Sequence, residues 1–172
     1  QRKTILDLDR LYFYDSINFK EGDPKPKGSL DHLVSEAQDM YRELSTETGD
    51  FFDMMVNEEL MDLENRKGKR GGGFCTAFPM YERPYIFANF NGTDHDVTVL
   101  THEAGHAFQV YSSRYQPLMD YYWPTLEACE IHSMSMEFLT WDWMHLFFKE
   151  DTQKFLFKHI AGSLAFLPYG AL

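Results

Sequence analysis

The chain has 172 residues, a hydrophobic fraction of 44% and a formal net charge of −11. This length and composition are typical of one globular domain with its own core, and they exclude an intrinsically disordered chain. The negative charge argues against nucleic acid as a partner, because phosphate binding requires clustered Lys and Arg. One basic cluster, at residues 65–70, is short and interrupted by glycine, and we interpret it as a solvated turn.

The first half of the chain predicts two helices and then two extended segments. Residues 6–15 form an amphipathic stretch that is ambiguous between strand and helix, and a loop rich in Pro and Gly follows. After the loop, apolar residues at helical spacing predict a helix over residues 30–44. Ser29 is its expected N-cap. A second helix is predicted over residues 50–65. Residues 73–92 have the pattern of two extended segments, punctuated by prolines and by an Asn-Gly pair.

The second half predicts three more helices. The first of them begins near residues 94–96, and its last apolar residues lie near Tyr111. Pro124 opens the next, over residues 125–148, and another follows over residues 151–167. This order predicts a mainly α protein with a small antiparallel sheet before the third helix.

The third helix carries His102, Glu103 and His106 in the pattern H-E-x-x-H. Residues i and i+4 are neighbours on one helix face, so both histidines can reach one metal ion, and imidazole nitrogens suit Zn²⁺. Glu103 is rotated by about 100° from His102 and can lean over the open side of the metal, where it could take a proton from a zinc-bound water. The pattern predicts a zinc site with Glu103 as the general base.

The pattern by itself is weak evidence, because a chance match is expected in about 2% of chains of this composition. A partly exposed surface helix would carry the same three polar residues. A catalytic zinc also takes three protein ligands and keeps one position for water, so the prediction requires a third ligand elsewhere in the sequence.

The fourth predicted helix offers that third ligand. Glu130 and Glu137 are seven residues apart, so they share one stripe of an otherwise apolar helix, and buried carboxylates are unfavourable unless they are paired or bound to a metal. We predict Glu130 as the third ligand and Glu137 as the partner of a ligand histidine through its second ring nitrogen. Glu127 is the alternative ligand, but it lies in the first helical turn, where the helix dipole already favours a negative charge.

Three further residues have a weaker case. His132 and His145 have no ligand-type residue four positions away, which favours a structural role for each. Asp96 precedes the motif on the same helix. It could cap the helix. The alternative is contact with a ligand histidine, and we retain Asp96 as a candidate neighbour of the metal ligands on that basis.

Four segments, GKRGGGFC, PYIFANFNGT, DVTVLTHEAGHAFQ and EACEIHSMSMEFL, closely resemble in order and spacing the oligoendopeptidase F branch of the thimet oligopeptidase family of zinc peptidases. The resemblance implies a zincin-like, mostly helical catalytic domain that cleaves short peptides. It assigns His102, His106 and Glu130 as zinc ligands and Glu103 as the general base. It also implies that the strand before the motif helix is an edge strand that pairs with the substrate. The residues of that strand are Tyr85, Ile86, Phe87, Ala88, Asn89 and Phe90.

Members of this family are several times longer than the present chain. They carry an N-terminal helical portion that walls the substrate channel. After the region matched here, they carry a histidine and tyrosines that donate hydrogen bonds to the tetrahedral intermediate. The sequence has no initial Met and stops after an apolar helical segment. We therefore interpret residues 1–172 as a single partial domain of a longer protein, with low activity by itself.

The leading interpretation is a zinc-dependent endopeptidase of short peptides. The alternative is a non-catalytic module that binds zinc or peptide, in which Cys129 or His132 would close the fourth position of a structural site. A different H-E-x-x-H hydrolase is disfavoured by the glutamate helix. No apolar run approaches 18 residues, so we expect no membrane partner. Two cysteines make no disulfide framework and no signal-peptide pattern is present, so the default expectation is a cytoplasmic location.

Overall fold

The computed structural model describes the backbone of residues 2–12 and 19–170, and the side chains of these residues except 2, 5 and 167–170. The prediction of a mainly helical protein with a small sheet before the motif helix is confirmed. The helices and strands follow in this order: α1 (Arg2–Ile5), α2 (Leu30–Leu44), α3 (Thr46–Asn57), β1 (Met61–Glu64), β2 (Phe74–Phe78), β3 (Arg83–Phe90), α4 (Asp94–Ser113), α5 (Leu126–Leu139), α6 (Met144–Phe148) and α7 (Thr152–Gly170).

The helix over residues 30–44 is confirmed together with its cap. Ser29 accepts a hydrogen bond from the backbone N–H of His32 at 3.3 Å, so its side chain satisfies one of the free donors of the first turn. The ambiguous stretch that precedes this helix is only partly described. Residues 6–12 form turns and irregular backbone, and residues 13–15 lie outside the described part.

The second helix is shorter than predicted, because α3 ends at Asn57. Glu59 adopts a left-handed φ of 54°, which an α-helix of L-residues does not accommodate. The chain continues as β1, where Leu63 is buried and the carbonyl of Leu60 accepts a hydrogen bond from Ile86 at 3.0 Å. The apolar residues that predicted a longer helix therefore serve a strand, since pairing with β3 is a tertiary contact that helical periodicity does not record.

The three strands form one sheet in the order β1-β3-β2. β2 is antiparallel to β3, but β1 is parallel to it, so the sheet is mixed and the prediction of a purely antiparallel sheet is wrong. β3 is the central strand and pairs with a neighbour on each side. The interpretation of residues 85–90 as an edge strand for the substrate is therefore wrong, because those backbone groups are already used inside the sheet.

α4 packs against α5 on one side and against β2 and β3 on the other. Gly105 marks the crossing of the two helices. A Cβ at this position would lie 2.7 Å from Ser133 Cα and 2.8 Å from the carbonyl oxygen of His132. The missing side chain lets the two backbones approach closely, which brings the glutamates of α5 next to the histidines of α4.

The fourth helix also ends earlier than predicted. α5 stops at Leu139, and a 3-10 turn over Trp141–Trp143 leads into the short α6. Thr140 is buried and donates its hydroxyl to the carbonyl of Met136 at 2.9 Å, a bond that competes with continuation of the helix. This break turns the chain so that α7 returns beside α5.

The last predicted helix is confirmed as α7, which begins at Thr152 and ends at Gly170. Lys158 anchors it to distant parts of the chain, since its amine lies 2.7 Å from Asp23 and 2.8 Å from Asp94. Among the described residues, no helix combines the length and the apolar character that crossing a bilayer requires.

Candidate metal centre

The three side chains predicted as metal ligands lie together in the structure. His102 and His106 project from one face of α4, with ring centroids 4.9 Å apart. Glu130 of α5 reaches both: its Oε2 lies 3.2 Å from His102 Nε2, and its Oε1 lies 3.7 Å from His106 Nε2. One potential ligand atom from each residue lies within 4.8 Å of the others, close enough to share one metal ion.

The carboxylate of Glu130 is oriented by its own helix. Ser133, which is fully buried, donates its hydroxyl to Glu130 Oε2 at 2.9 Å. The same hydroxyl also lies 3.1 Å from the backbone carbonyl of Glu130. Although the Glu130 side chain is 48% exposed, one of its oxygens is thus directed toward the histidines.

Glu103 lies beside this cluster and is buried, with an exposure of 7%. Its Oε2 is buried and has no hydrogen-bond partner among the described residues. Burial raises the pKa of Glu103; the positive charge of His102 opposes that increase, and the negative charge of Glu130 adds to it. A carboxylate with a raised pKa and a free acceptor atom is suited to taking up a proton near neutral pH.

Glu137 contacts the second ring nitrogen of His102. Its Oε1 lies 2.7 Å from His102 Nδ1, and its side chain is 10% exposed. Burial would raise the pKa of Glu137, but hydrogen bonds from His102 and His159 outweigh burial and lower it. Burial would lower the pKa of His102, and the hydrogen bond and charge of Glu137 raise it instead. An ionised Glu137 therefore fixes the orientation of the His102 ring.

His106 is held differently. Its Nδ1 is buried and has no hydrogen-bond partner in the described part of the chain, and its ring lies 6.5 Å from the ring of Trp123. Burial lowers the pKa of His106, and the neighbouring charge of His102 lowers it further. A histidine with a lowered pKa stays neutral, and a neutral imidazole is the form that binds a metal.

These donors fit a zinc ion. Two imidazole nitrogens and one carboxylate are a known ligand set of catalytic zinc, which takes three protein ligands and keeps a position for water. The buried Oε2 of Glu103 is an acceptor for which the described residues supply no donor. Such an acceptor fits a site in which a water molecule binds.

Known proteins share this sequence and fold. The profile of peptidase family M3 matches residues 9–164. The chain belongs to peptidase family M3. A crystal structure provisionally named an oligoendopeptidase F is 56% identical to it, with a TM-score of 0.94 over 98% of this chain and 30% of the other. A structure of PZ peptidase A with an inhibitor is 54% identical, with the same TM-score and the same coverage.

A curated relative of this M3 chain is the oligoendopeptidase F homolog of Borreliella burgdorferi. It is 29% identical over 149 residues, which are 79% of this chain and 23% of the relative. The resemblance to oligoendopeptidase F that the four sequence segments indicated is thus confirmed. The chain spans less than a third of the length of each of these proteins.

Asp96 lies elsewhere than predicted in this M3 chain. Its carboxylate is buried and accepts hydrogen bonds from the backbone N–H groups of Asn91 at 3.0 Å and Gly92 at 2.7 Å. It therefore fastens the turn between β3 and α4, as its alternative role at the helix start suggested. The predicted contact with a ligand histidine is wrong, because the carboxylate oxygens are occupied by this turn.

The other weak candidates lie outside the cluster of ligand atoms. Glu127, His132 and His145 are exposed, and the group of atoms that could share a metal ion includes none of them. His145 Nδ1 lies 2.8 Å from the carbonyl oxygen of Asp142, within its own turn. The choice between Glu127 and Glu130 therefore rests on the crossing of α4 and α5, which presents Glu130 to both histidines.

The strand that lies beside Glu103 is β2. A Cβ at Gly73, just before β2, would lie 3.6 Å from Glu103 Oε1. Burial raises the pKa of the Cys75 thiol well above its ordinary value, and the charge of Glu103 adds to this increase. β2 occupies an outer position in the sheet, so its far edge pairs with no strand in the described part of the chain.

The pairing register identifies which backbone groups lie on that free edge. Ile86 donates its N–H to Leu60, so its polar groups face β1. Cys75 is opposite Ile86, and Ala77 is opposite Pro84, two residues earlier on β3. Because polar groups alternate in direction along an antiparallel ladder, the N–H and C=O groups of Cys75 and Ala77 point away from β3.

The second residue that bonds to the Glu137 carboxylate was not predicted from the sequence. His159 of α7 places its Nε2 2.5 Å from Glu137 Oε2, and its side chain is 7% exposed. It belongs to no motif and is separated from Glu137 by the break after α5. The sequence contained no local signal for this contact, because it depends on how α7 returns along α5.

Proposed function

We propose that this chain forms the catalytic core of a zinc-dependent endopeptidase that hydrolyses short peptides. One observation carries the proposal: the ligand atoms of His102, His106 and Glu130 converge beside the buried, unbonded carboxylate oxygen of Glu103. Membership of peptidase family M3 supports it, as does the likeness to PZ peptidase A, whose structure holds an inhibitor. That residues 1–172 are one domain of a longer, cytoplasmic protein stays a prediction.

The residues divide the chemistry between them. His102, His106 and Glu130 would hold the zinc ion, which supplies Lewis acidity toward water and toward the carbonyl oxygen of a peptide bond. Glu103 accepts a proton from the attacking water through its free Oε2 and then passes the proton to the amine that leaves. Its raised pKa brings Glu103 closer to the range in which a carboxylate can both take and return a proton.

The free edge of β2 is the proposed place of the substrate backbone. The outward N–H and C=O groups of Cys75 and Ala77 can add an extended peptide to the sheet. Gly73 leads this edge toward Glu103. Backbone pairing reads no side chains, which suits an enzyme that accepts many short peptides.

A structural zinc site is less well supported. The predicted fourth ligands for such a site were Cys129 and His132. Cys129 donates its thiol to the carbonyl of Leu126 at 2.9 Å, and His132 is exposed. With neither side chain in the cluster, the described residues would supply three ligands and leave one position for water, as in catalytic sites.

The test is the substitution Glu103→Gln. Zinc should remain bound at one ion per chain, because Glu103 is not a ligand, while hydrolysis of a quenched fluorescent peptide should fall by about 10²–10⁴-fold. Glu127→Gln, an exposed change on α5, is the matched control and should keep the wild-type rate. Wild-type turnover in Glu103→Gln would remove Glu103 from the mechanism, and loss of its zinc would make it a ligand.

A further inference from the structure

A chain of hydrogen bonds leads away from the candidate metal centre. His102 Nδ1 lies 2.7 Å from one oxygen of Glu137, and the other oxygen lies 2.5 Å from His159 Nε2. The indole nitrogen of Trp141 lies 3.0 Å from His159 Nδ1. The four residues come from α4, α5, the 3-10 turn that follows α5, and α7. Only His102 among them belongs to the candidate ligands.

The chemistry of the indole fixes the direction of two of the three bonds in this chain. An indole N–H can only donate, so His159 Nδ1 accepts and carries no proton. His159 must then carry its proton on Nε2 and donate it to Glu137. A carboxylate that accepts on both oxygens receives its other hydrogen bond from His102 Nδ1–H. With its proton on Nδ1, His102 has Nε2 as the nitrogen that can offer a lone pair to a metal, and this Nε2 lies 3.2 Å from Glu130 Oε2.

Aromatic packing holds His159 in this orientation. Its ring stacks on Phe155 with centroids 5.8 Å apart and an interplanar angle of 14°, and Phe138 lies 4.9 Å away. The His159 side chain is 7% exposed. Turning the ring over would direct carbon atoms at both the indole N–H and the carboxylate, which would leave both polar groups without their partner.

We propose that His159 and Trp141 are positioning residues for the metal centre. Trp141 sets the tautomer of His159, and His159 completes the hydrogen bonding of Glu137. Glu137 then presents His102 to the metal in one tautomer and one orientation. The proposal rests on the metal site of the proposed function, but the hydrogen-bond chain can be measured without metal.

The first test is the tautomer of each histidine in the chelator-treated wild-type protein, read from the side-chain ¹⁵N chemical shifts. We expect His159 protonated on Nε2 and His102 protonated on Nδ1. Protonation of His159 on Nδ1 would overturn the proposal, because the indole of Trp141 would then have no acceptor.

The second test is the zinc dissociation constant, measured by competition with a chelator. His159→Leu should weaken binding by about 10-fold, at the lower end of the 10–100-fold loss typical of residues that hold a metal ligand. Trp141→Phe should have a smaller effect in the same direction. His159→Gln keeps a donor near Glu137 and should restore most of the affinity, which a purely space-filling role would not explain.

A double-mutant cycle isolates the path through Glu137. If His159 acts through that carboxylate, adding His159→Leu to Glu137→Ala should cause no further loss of zinc affinity. Additive losses, or wild-type affinity in His159→Leu, would overturn the proposal. His145→Leu is the matched control, since His145 contacts only its own turn in the described structure and should leave zinc binding unchanged.

Failure of the proposed function gives a different result. A wild-type protein that takes up no zinc contradicts the metal site, while the ¹⁵N measurement still decides whether the hydrogen-bond chain has the assigned directions. Should His159→Leu not fold, the ¹⁵N measurement on the wild-type protein still decides the proposal, because protonation of His159 on Nδ1 would overturn it.

Discussion

The two sides of α4 contact different parts of the fold, although the residues involved are neighbours in sequence. Toward α5, His102 and His106 meet Glu130 and Glu137 at distances between 2.7 and 3.7 Å. Toward β2, Glu103 Oε1 lies 3.6 Å from the position that a Cβ of Gly73 would occupy. Under the proposed function, the α5 side would hold the metal ion, and the β2 side would position a bound peptide relative to Glu103. Changes on the two sides should affect different measurements.

The largest effect should come from the carboxylate that touches both histidines. Glu130→Ala removes a predicted ligand. Loss of a residue that only hydrogen-bonds to a ligand typically weakens metal binding by about 10–100-fold, and Glu130→Ala should weaken zinc binding by more than this. Glu127→Ala, three residues earlier on the same helix, should cost far less affinity. Competition with a chelator ranks the two variants, and a larger loss in Glu127→Ala would mean that α5 presents a different face to α4.

The next effect should come from the helix crossing itself. Gly105→Ala places a Cβ 2.7 Å from Ser133 Cα, so α5 must shift away and carry Glu130 with it. We expect a destabilisation of about 1–3 kcal/mol, as for other overpacked contacts, together with weaker zinc binding. Thermal unfolding and metal competition on the same sample measure both.

Gly162→Ala is the control for this change. Gly162 lies in α7, and a Cβ there meets nothing within 4 Å. Alanine in this helix should stabilise the protein by about 0.5–1 kcal/mol through backbone entropy and leave zinc binding alone. If Gly105→Ala behaves like Gly162→Ala, the close approach of α4 and α5 is not what positions the site.

On the β2 side, the backbone and not a side chain is expected to matter. Ala77→Pro removes an outward N–H while leaving the bonds between β2 and β3, a position where an edge strand tolerates proline. Loss of one hydrogen bond worth about 0.5–1.5 kcal/mol should lower kcat/KM by about 2–10-fold through KM. Zinc affinity should not change. Ala77→Ser retains the N–H and should keep KM, and an equal increase in KM for both variants would contradict pairing at this edge.

The smallest effect on the site should come from the far side of the sheet. Asp62 on β1 accepts hydrogen bonds from Arg66 at 2.6 Å and Lys69 at 3.0 Å, and Lys69 also donates to the carbonyl of Ala88 on β3. The Arg66 hydrogen bond, with help from Lys69, holds the pKa of Asp62 well below its usual range despite burial. Asp62→Asn should lower the unfolding free energy at neutral pH by about 1 kcal/mol and leave zinc binding intact.

The pH dependence of this loss has a definite sign. Because the folded-state pKa of Asp62 lies below that of the unfolded chain, its contribution is complete above about pH 4 and disappears as the pH falls through the folded-state value. The stability difference between wild type and Asp62→Asn should therefore shrink in acid. Asp7→Asn, which removes an exposed pair with Lys20, should change little at any pH. A difference that grows in acid would contradict the role assigned to Asp62.

Several parts of the fold and site could be predicted because they depend on residues close together in the chain. The i, i+4 spacing places His102 and His106 on one face of a helix, and Ser29 caps a helix within one turn. The spacing of Glu130 and Glu137 places both on the stripe of α5 that meets His102. Helical periodicity records such relations directly, since one turn spans only three or four residues.

Other parts depended on partners far along the chain, and only the tertiary structure decided them. β1 became a strand through its pairing with β3, which also placed β3 at the centre of the sheet and moved the free edge to β2. His159 reaches Glu137 because α5 stops at Leu139 and α7 returns beside it. Local periodicity is the same whether an apolar segment packs on a sheet or on a helix, so strand order and the partners of α7 are set by packing between elements.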